Sequence, residues 1–273
     1  MVQKLLLSVC IVFLALRAVG QAGDYSLGAR SAAVGTTSST LTDQFSLFNN
    51  PAGLAQANSP GVFASYENRY RIEDFQVMGA GASIPFGKFT TGVGFYRFGG
   101  KLYTEQLVSL KVANKIGFVS LGGGVSYVQY NIPTIGTRGV LVVDLGGIAA
   151  INKHWHLGAH IYNLTQSKLV PGTGERVPTV MKLGVSYRPI TAFMVNMEVS
   201  KDINYKPIAR AGMEYFIIPQ LALRTGFSTG PFISCFGLGF KPGKFQIDYA
   251  FRNDARLGEL HQMSVIYAFA DKK

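Results

Sequence analysis

The sequence is poor in charge, in cysteine and in long apolar runs. Asp, Glu, Lys and Arg make up only 15% of its 273 residues, whereas soluble domains run nearer a quarter. That scarcity excludes a coiled coil. Disorder is excluded from the other direction, because 48% of the residues are hydrophobic and such a chain collapses. After the N-terminal stretch no uninterrupted apolar run approaches the ~18–20 residues of a spanning helix, so a bundle of transmembrane helices is excluded too. The catalytic signatures are missing: there is no Gly-x-Ser-x-Gly elbow and no His-Glu-x-x-His. No enzyme activity and no cofactor are expected. What is plentiful is glycine, 32 residues, and aromatic side chains at 12%. An all-β protein remains, either a soluble sandwich or barrel or a β-barrel in lipid.

Residues 1–20 read as an export signal. Lys4 gives a positive start, Leu5 to Leu16 is apolar, and Ala18-Val19-Gly20 before Gln21 is a small-x-small cleavage site. Cleavage removes Lys4, Arg17 and Cys10. Cys235 is then the remaining cysteine, so no intramolecular disulfide forms. The formal charge of +11 keeps its basic excess. An exported chain without disulfide staples needs another source of stability, and closure of a barrel in lipid supplies one.

The body alternates with period two. Phe245, Ile247, Tyr249 and Phe251 share one face of a strand, and Gln246, Asp248, Ala250 and Arg252 share the other. Met263, Val265, Tyr267 and Phe269 oppose Gln262, Ser264, Ile266 and Ala268. The pattern repeats for Met181–Arg188, Phe193–Ser200, Arg210–Tyr215, Leu221–Ser228 and Trp155–Tyr162. Segments 75–86, 87–98, 116–130 and 139–151 are richer in glycine and alternate less cleanly. The count comes to about fourteen strands, near 61–69, 75–86, 87–98, 102–113, 116–130, 139–151, 155–164, 177–188, 191–200, 206–216, 219–228, 231–241, 243–252 and 259–269. Tight turns such as Phe86-Gly87-Lys88 and Lys241-Pro242-Gly243-Lys244 alternate with mostly longer polar links. Short turns at one end and longer loops at the other mark an outer-membrane barrel. Hydrocarbon offers no partner for an open sheet edge, so the sheet must close. The expected orientation is oily side chains outward and small or ionic ones inward, with an even strand count placing both termini on the periplasmic side.

Residues 21–58 do not alternate and read as a plug or hatch-like segment ahead of a barrel at 59–273. In them Gly28-Ala29-Arg30 is followed by Ala33-Val34-Gly35, and then by Asn50-Pro51-Ala52-Gly53-Leu54. This start resembles the PorV/PorQ family, part of the wider group of FadL-like outer-membrane barrels. The resemblance implies a fourteen-stranded barrel with an N-terminal segment inside it, in an outer membrane of the Bacteroidota kind. It implies an accessory role in type IX protein secretion or surface assembly, with translocon components and secreted cargo as partners. The wider group implies the alternative, passive diffusion of small hydrophobic solutes. The outer loops here are short, the longest near 164–177, which leaves little room for an elaborate cargo-binding surface.

Six strand charges are expected to face the lumen: Lys182, Glu198, Arg210, Glu214, Arg224 and Asp248. Their signs alternate from strand to strand, which favours an ion-pair network over a bare polar constriction. Arg30 is the expected partner of Glu198, Glu214 or Asp248. His156 and His160 share a strand face but stand about 13 Å apart at ~3.3 Å per residue, so no metal site is expected. Gly79-Ala80-Gly81 and Gly122-Gly123-Gly124 lie within strands, where they bind no phosphate and instead let another backbone approach. Lys88, Lys115, Lys153, Arg188, Lys241 and Lys244 fall in the tight turns. There they are placed to meet lipid phosphates or an acidic periplasmic partner. Outer-membrane lipid is an expected partner; nucleic acid is not, despite the basic charge.

Overall fold

The computed structural model describes residues 25–57, 59–133, 136–169 and 176–269; the export-signal segment lies outside them. The wall is a closed antiparallel barrel of fourteen strands. In chain order these are β1 (Gly61–Arg69), β2 (Gln76–Phe86), β3 (Phe89–Gly99), β4 (Thr104–Ile116), β5 (Val119–Ile132), β6 (Gly136–Ala150) and β7 (Trp155–Tyr162). The second half is β8 (Val180–Ile190), β9 (Phe193–Asp202), β10 (Ile208–Ile218), β11 (Leu221–Thr229), β12 (Phe232–Phe240), β13 (Phe245–Asp254) and β14 (Gly258–Ala268). Each strand pairs with its neighbours in sequence, and β1 closes on β14 from Gly61↔Ala268 to Arg69↔Leu260.

The alternation in the sequence becomes the two faces of this wall. Phe245, Tyr249 and Met263 are exposed on the outside of the barrel, while Asp248, Ala250 and Ser264 are buried. Leu183 and Met197 point out between buried Lys182, Ser186, Asn196 and Glu198. An outer face of this kind needs an apolar solvent, because a soluble protein does not expose so continuous an oily surface.

Strand boundaries differ from the sequence reading mainly at the tight turns. Pairing continues to Phe86↔Phe89, Ile116↔Val119, Ile190↔Phe193 and Ile218↔Leu221. These turns are therefore two residues long, and the following strands start about two residues later than expected. Gly87 and Gly117 lead two of them with φ of 59° and 61°, a conformation that suits the twist of a two-residue hairpin. The sequence also placed a turn at Arg188-Pro189-Ile190-Thr191. Instead Pro189 stays inside β8, where the register shifts between Tyr187 and Ile190. Proline lacks an N–H, and an irregularity of this kind is where a strand tolerates it.

β7 is shorter than the expected 155–164. It pairs with β6 only from Leu145↔Ile161 to Ala150↔His156. Beyond that point the following loop flanks β6: Leu164 N–H donates to the Val143 carbonyl at 2.8 Å and Ser167 Oγ to the Leu141 carbonyl at 2.7 Å. Buried Asn163 holds this loop. Its Nδ2 donates to the Val177 carbonyl at 2.8 Å, and its Oδ1 accepts from Ser167 N–H at 3.0 Å.

Residues 25–57 contain two short helices, α1 (Ala29–Ala33) and α2 (Ser46–Asn49), and a 3-10 turn, Pro51–Gln56. None of these residues is exposed. They pack on the inward side of the wall, α1 against β11 to β14 and the 3-10 turn against β3 to β6. Tyr25 lies at the long-loop end, beside Tyr96 and Tyr162. The segment reaches β1 at the short-turn end.

Met263 sits at the middle of β14 and faces outward. Met263→Lys is expected to destabilise the lipid-embedded barrel by about 2–4 kcal/mol. Met263→Leu should cost less than ~1.5 kcal/mol. Urea unfolding in phospholipid vesicles, followed by fluorescence of the single tryptophan, Trp155, measures both; equal effects would place this face outside lipid.

Candidate functional site

The lumen is the concave region of the molecule, and its contents are set by how residues 25–57 are held. Asn49 clips the segment to itself: its Oδ1 accepts from Leu27 N–H and its Nδ2 donates to the Leu27 carbonyl, each at 2.9 Å. Asn50 ties it to the wall. Its Nδ2 donates to the Ser39 carbonyl at 2.6 Å and to the Ala159 carbonyl on β7 at 3.2 Å, while its Oδ1 caps the 3-10 turn by accepting from Ala52 N–H at 3.2 Å. The Asn-Pro-Ala-Gly-Leu motif thus has a mechanical role. Pro51 and Ala52 lie so close to Gly122 of β5 that a Cβ there would overlap their backbone. Gly212 of β10 is under the same constraint from the Val34 carbonyl. Glycine-rich strands blurred the alternation in the sequence because some of their inward positions are seats for another backbone.

The charges expected from the sequence lie inward, and three of them form one chain with Arg30. The Arg30 guanidinium meets Glu214 through Nη2 at 2.6 Å and Nε at 2.9 Å, and Asp43 through Nη1 at 3.3 Å. Glu214 also accepts from Arg224 Nε at 2.5 Å, its direct cross-strand partner. Arg224 then reaches Asp248 of β13 at 2.7 Å. It crosses β12 to do so, over Gly239, where any side chain would collide with the guanidinium. Glu198 and Arg210 form a separate cross-strand pair at 3.4 Å. The second Glu198 oxygen accepts from the N–H groups of Ser38 and Ser39, each at 2.8 Å. Lys182 donates to Ser26 Oγ at 2.7 Å. Of the three partners expected for Arg30, Glu214 is the one it contacts.

Several lumen residues escaped the sequence reading. Lys111 of β4 pairs with Asp144 of β6 across Gly124 of β5, the same device as Arg224 over Gly239. The alternation of Ser109, Lys111 and Ala113 with Leu110 and Val112 was the available signal. Glu67 binds Arg252 at 2.5 Å and Arg69 at 2.7 Å. Tyr25 donates its hydroxyl to the buried Glu105 carboxylate. Asp43 Oδ1 accepts from Phe45 N–H at 3.0 Å just ahead of α2, and its other oxygen holds Arg30. His156 and His160 are not brought onto a common ligand, and the described residues include no cluster of three metal-ligating side chains.

The interior gathers apolar side chains on the β1 to β6 side, where the buried Lys111–Asp144 pair, Glu67 and Glu105 also lie. Strands β8 to β13 contribute the charged chain. Strands β1 to β6 contribute Phe63, Val77, Tyr96, Leu107, Val128 and Val142, which pack with Tyr25, Leu27, Phe45, Leu47 and Leu54 into one apolar cluster. This cluster corrects the expectation of a uniformly small or ionic inner face. At the long-loop end the cluster is aromatic, with the Tyr25 ring 5.2 Å from Tyr96 and 5.1 Å from Tyr162. At the short-turn end a cavity of about 830 Å³ opens on the charged side. Arg30, Asp43, Arg224 and Asp248 line it, with Pro219, Lys241 and Lys244 also on its boundary.

No family profile matches the chain, and no curated protein sequence does. Solved structures do resemble it. The toluene transporter TbuX of Ralstonia pickettii has a TM-score of 0.66 at 12% identity, covering 90% of this chain and 99% of its own. The toluene transporter TodX of P. putida has a TM-score of 0.65 at 14% identity, covering 91% of this chain and 100% of its own. A FadL homologue of Pseudomonas aeruginosa has a TM-score of 0.63 at 13% identity, with 92% and 99% covered. At these identities the likeness establishes the fold alone: a closed antiparallel barrel of the kind found in these outer-membrane proteins.

Two substitutions test the interior. Glu214→Gln leaves Arg30 and Arg224 without their shared carboxylate and should cost about 3–5 kcal/mol in vesicle unfolding experiments. Gly212→Val drives a side chain into the backbone at Val34 and should loosen residues 25–57. The expected readout is greater single-channel conductance in planar bilayers with the barrel still folded.

Proposed function

We propose that the protein is a non-enzymatic outer-membrane channel through which small apolar molecules diffuse passively, with residues 25–57 acting as its plug. The short turns face the periplasm in this reading and the longer loops face outward, as in barrels of this architecture. Outer-membrane lipid surrounds the wall.

The observation that carries the reading is the one-sided apolar interior. A water-filled porin has a polar lumen. Here β1 to β6 turn Phe63, Val77, Tyr96, Leu107, Val128 and Val142 inward, beside the buried Lys111–Asp144 pair, and the plug turns its own Leu27, Phe45, Leu47 and Leu54 toward these apolar side chains. A small hydrophobic solute can replace those contacts along this seam, whereas a hydrated sugar or ion cannot. The charged side does the opposite work. Its ion pairs anchor Arg30 and the loop at Ser38-Ser39 to β9 and β10, so the plug is fixed on one side and can yield on the other. Tyr25 gates the outer end, and the cavity at the short-turn end is the exit. TbuX and TodX, which have similar folds, are toluene transporters, in keeping with this class of cargo.

The secretion role implied by the PorV/PorQ resemblance rests on residues 25–57 alone. Those residues have a local structural role in clamping the segment, and the short loops offer no observation in favour of cargo docking.

Proteoliposomes holding the full mature chain test the proposal. They should take up a monoaromatic such as toluene faster than empty vesicles and show no swelling in sugars. Tyr25→Ala should raise aromatic uptake severalfold by removing the stopper. A folded barrel that leaves aromatic entry at the rate of empty vesicles, in wild type and in Tyr25→Ala alike, would defeat the channel reading.

A further inference from the structure

The short-turn end carries charge of one sign. Among the described residues, segments 86–89, 114–119, 151–154, 188–193, 217–221 and 241–245 contain Lys88, Lys115, Lys153, Arg188, Lys241 and Lys244 but no Asp or Glu. Arg188 belongs to the interior, since its Nη2 donates to the Thr40 carbonyl at 3.4 Å. The five lysines are exposed. Lys244 also donates to the Phe269 carbonyl at 3.3 Å, which holds its ammonium at the rim. The long-loop end is of mixed sign; Arg71, for example, pairs with Glu259 at 2.8 Å.

Each lysine adjoins an outward apolar group. Phe86 and Phe89 flank Lys88, Ile116 and Phe118 follow Lys115, Trp155 lies two residues after Lys153, and Phe240 and Phe245 bracket Lys241 and Lys244; all of these apolar side chains are exposed. The rings form pairs along the same edge, Trp155 with Tyr187 at 4.5 Å and Phe245 with Tyr267 at 4.8 Å. Aromatic rings favour the depth of the lipid headgroups, and a lysine stem lying along that edge lifts its ammonium to the phosphate layer.

The geometry points to this rim as a binding surface for anionic glycerophospholipid headgroups, roughly one headgroup at each lysine-bearing turn. It rests on the membrane setting and is independent of what crosses the lumen. Neighbouring strands lie ~4.8 Å apart, so successive turns are about 10 Å apart. The lysines of different turns therefore do not converge on a single small anion. Their apolar neighbours face sideways into the bilayer, which suits a lipid better than an acidic protein approaching from below. Attraction of anionic lipid by a surface lysine corresponds to roughly a fivefold preference at the contact.

The test is the selectivity of spin-labelled lipids for the full-length mature barrel in phosphatidylcholine vesicles. Labelled phosphatidylglycerol should be preferred over labelled phosphatidylcholine severalfold, and high salt should erode the preference. Replacing Lys88, Lys115, Lys153, Lys241 and Lys244 together by Gln should bring the ratio close to unity. A loop-end control, Arg71→Gln with Lys206→Gln and Arg256→Gln, should leave it unchanged. Should the fivefold variant not fold, Lys88→Gln with Lys115→Gln should lower the ratio part-way. A wild-type ratio of unity overturns the inference, as does a ratio that survives in the lysine variants or falls equally in the loop-end control. Inorganic phosphate and polyglutamate, each compared with chloride of equal ionic strength, complete the design. Specific loss of the lipid preference with phosphate would assign a free-anion site, and specific loss with polyglutamate a protein-docking face; either result overturns the lipid assignment.

Discussion

The structure depends on closure of the sheet. β1 pairs with β14 over its whole length, Gly61↔Ala268 to Arg69↔Leu260, so the wall has no free edge. In hydrocarbon each unpaired backbone N–H or C=O costs several kcal/mol, and one open edge would expose a row of them. Closure also fixes which side of every strand faces lipid. A slip of one residue would carry a strand's ionic side chains outward and its oily ones inward. The outward Phe245, Tyr249 and Met263 and the inward Asp248 and Ser264 are two results of the same constraint.

Once the wall is closed, its inward charges have limited access to water. An isolated buried ion is penalised by several kcal/mol, and the interior avoids this by pairing. Glu214 serves Arg30 and Arg224 together, and Arg224 spans a glycine position on β12 to reach Asp248. Lys111 spans Gly124 to reach Asp144 in the same way. Glycine at those wall positions clears the path for a long side chain. At Gly122 and Gly212 it clears space for the backbone of the N-terminal segment. Part of the glycine content of the chain thus records close approaches inside the barrel.

The unequal lumen is what gives the molecule a functional direction. The Arg30–Glu214 pair, the Ser38 and Ser39 N–H bonds to Glu198 and the Asn50 clamp hold residues 25–57 to β10, β9 and β7. The first half is joined to the segment largely by apolar contact, which is non-directional and tolerates exchange for another apolar molecule. The proposed channel for small hydrophobic solutes rests on this difference in how the segment is held. The basic rim concerns a different surface, where the barrel meets headgroups.

Much of this was legible in the sequence. Strict alternation in Phe245–Arg252 and Gln262–Phe269 is a local property of the chain, so it announced strands, faces and the fourteen-strand count before any fold was known. The inward set Lys182, Glu198, Arg210, Glu214, Arg224 and Asp248 followed from the same periodicity. Turn lengths were legible only to a couple of residues, because whether Ile116 pairs with Val119 depends on the partner strand. Contacts distant along the chain could not be read: that Arg30 takes Glu214, that Asn50 reaches Ala159, or that Lys111 crosses Gly124. Nor could the apolar cluster inside the lumen, since Phe63, Tyr96 and Leu107 become neighbours only when the barrel curls shut. The sequence by itself determined which side of each strand is oily, through the period of two. Only the tertiary structure decided which inward side chains meet and what fills the space between them, because closing the sheet joins residues that the chain keeps up to two hundred positions apart.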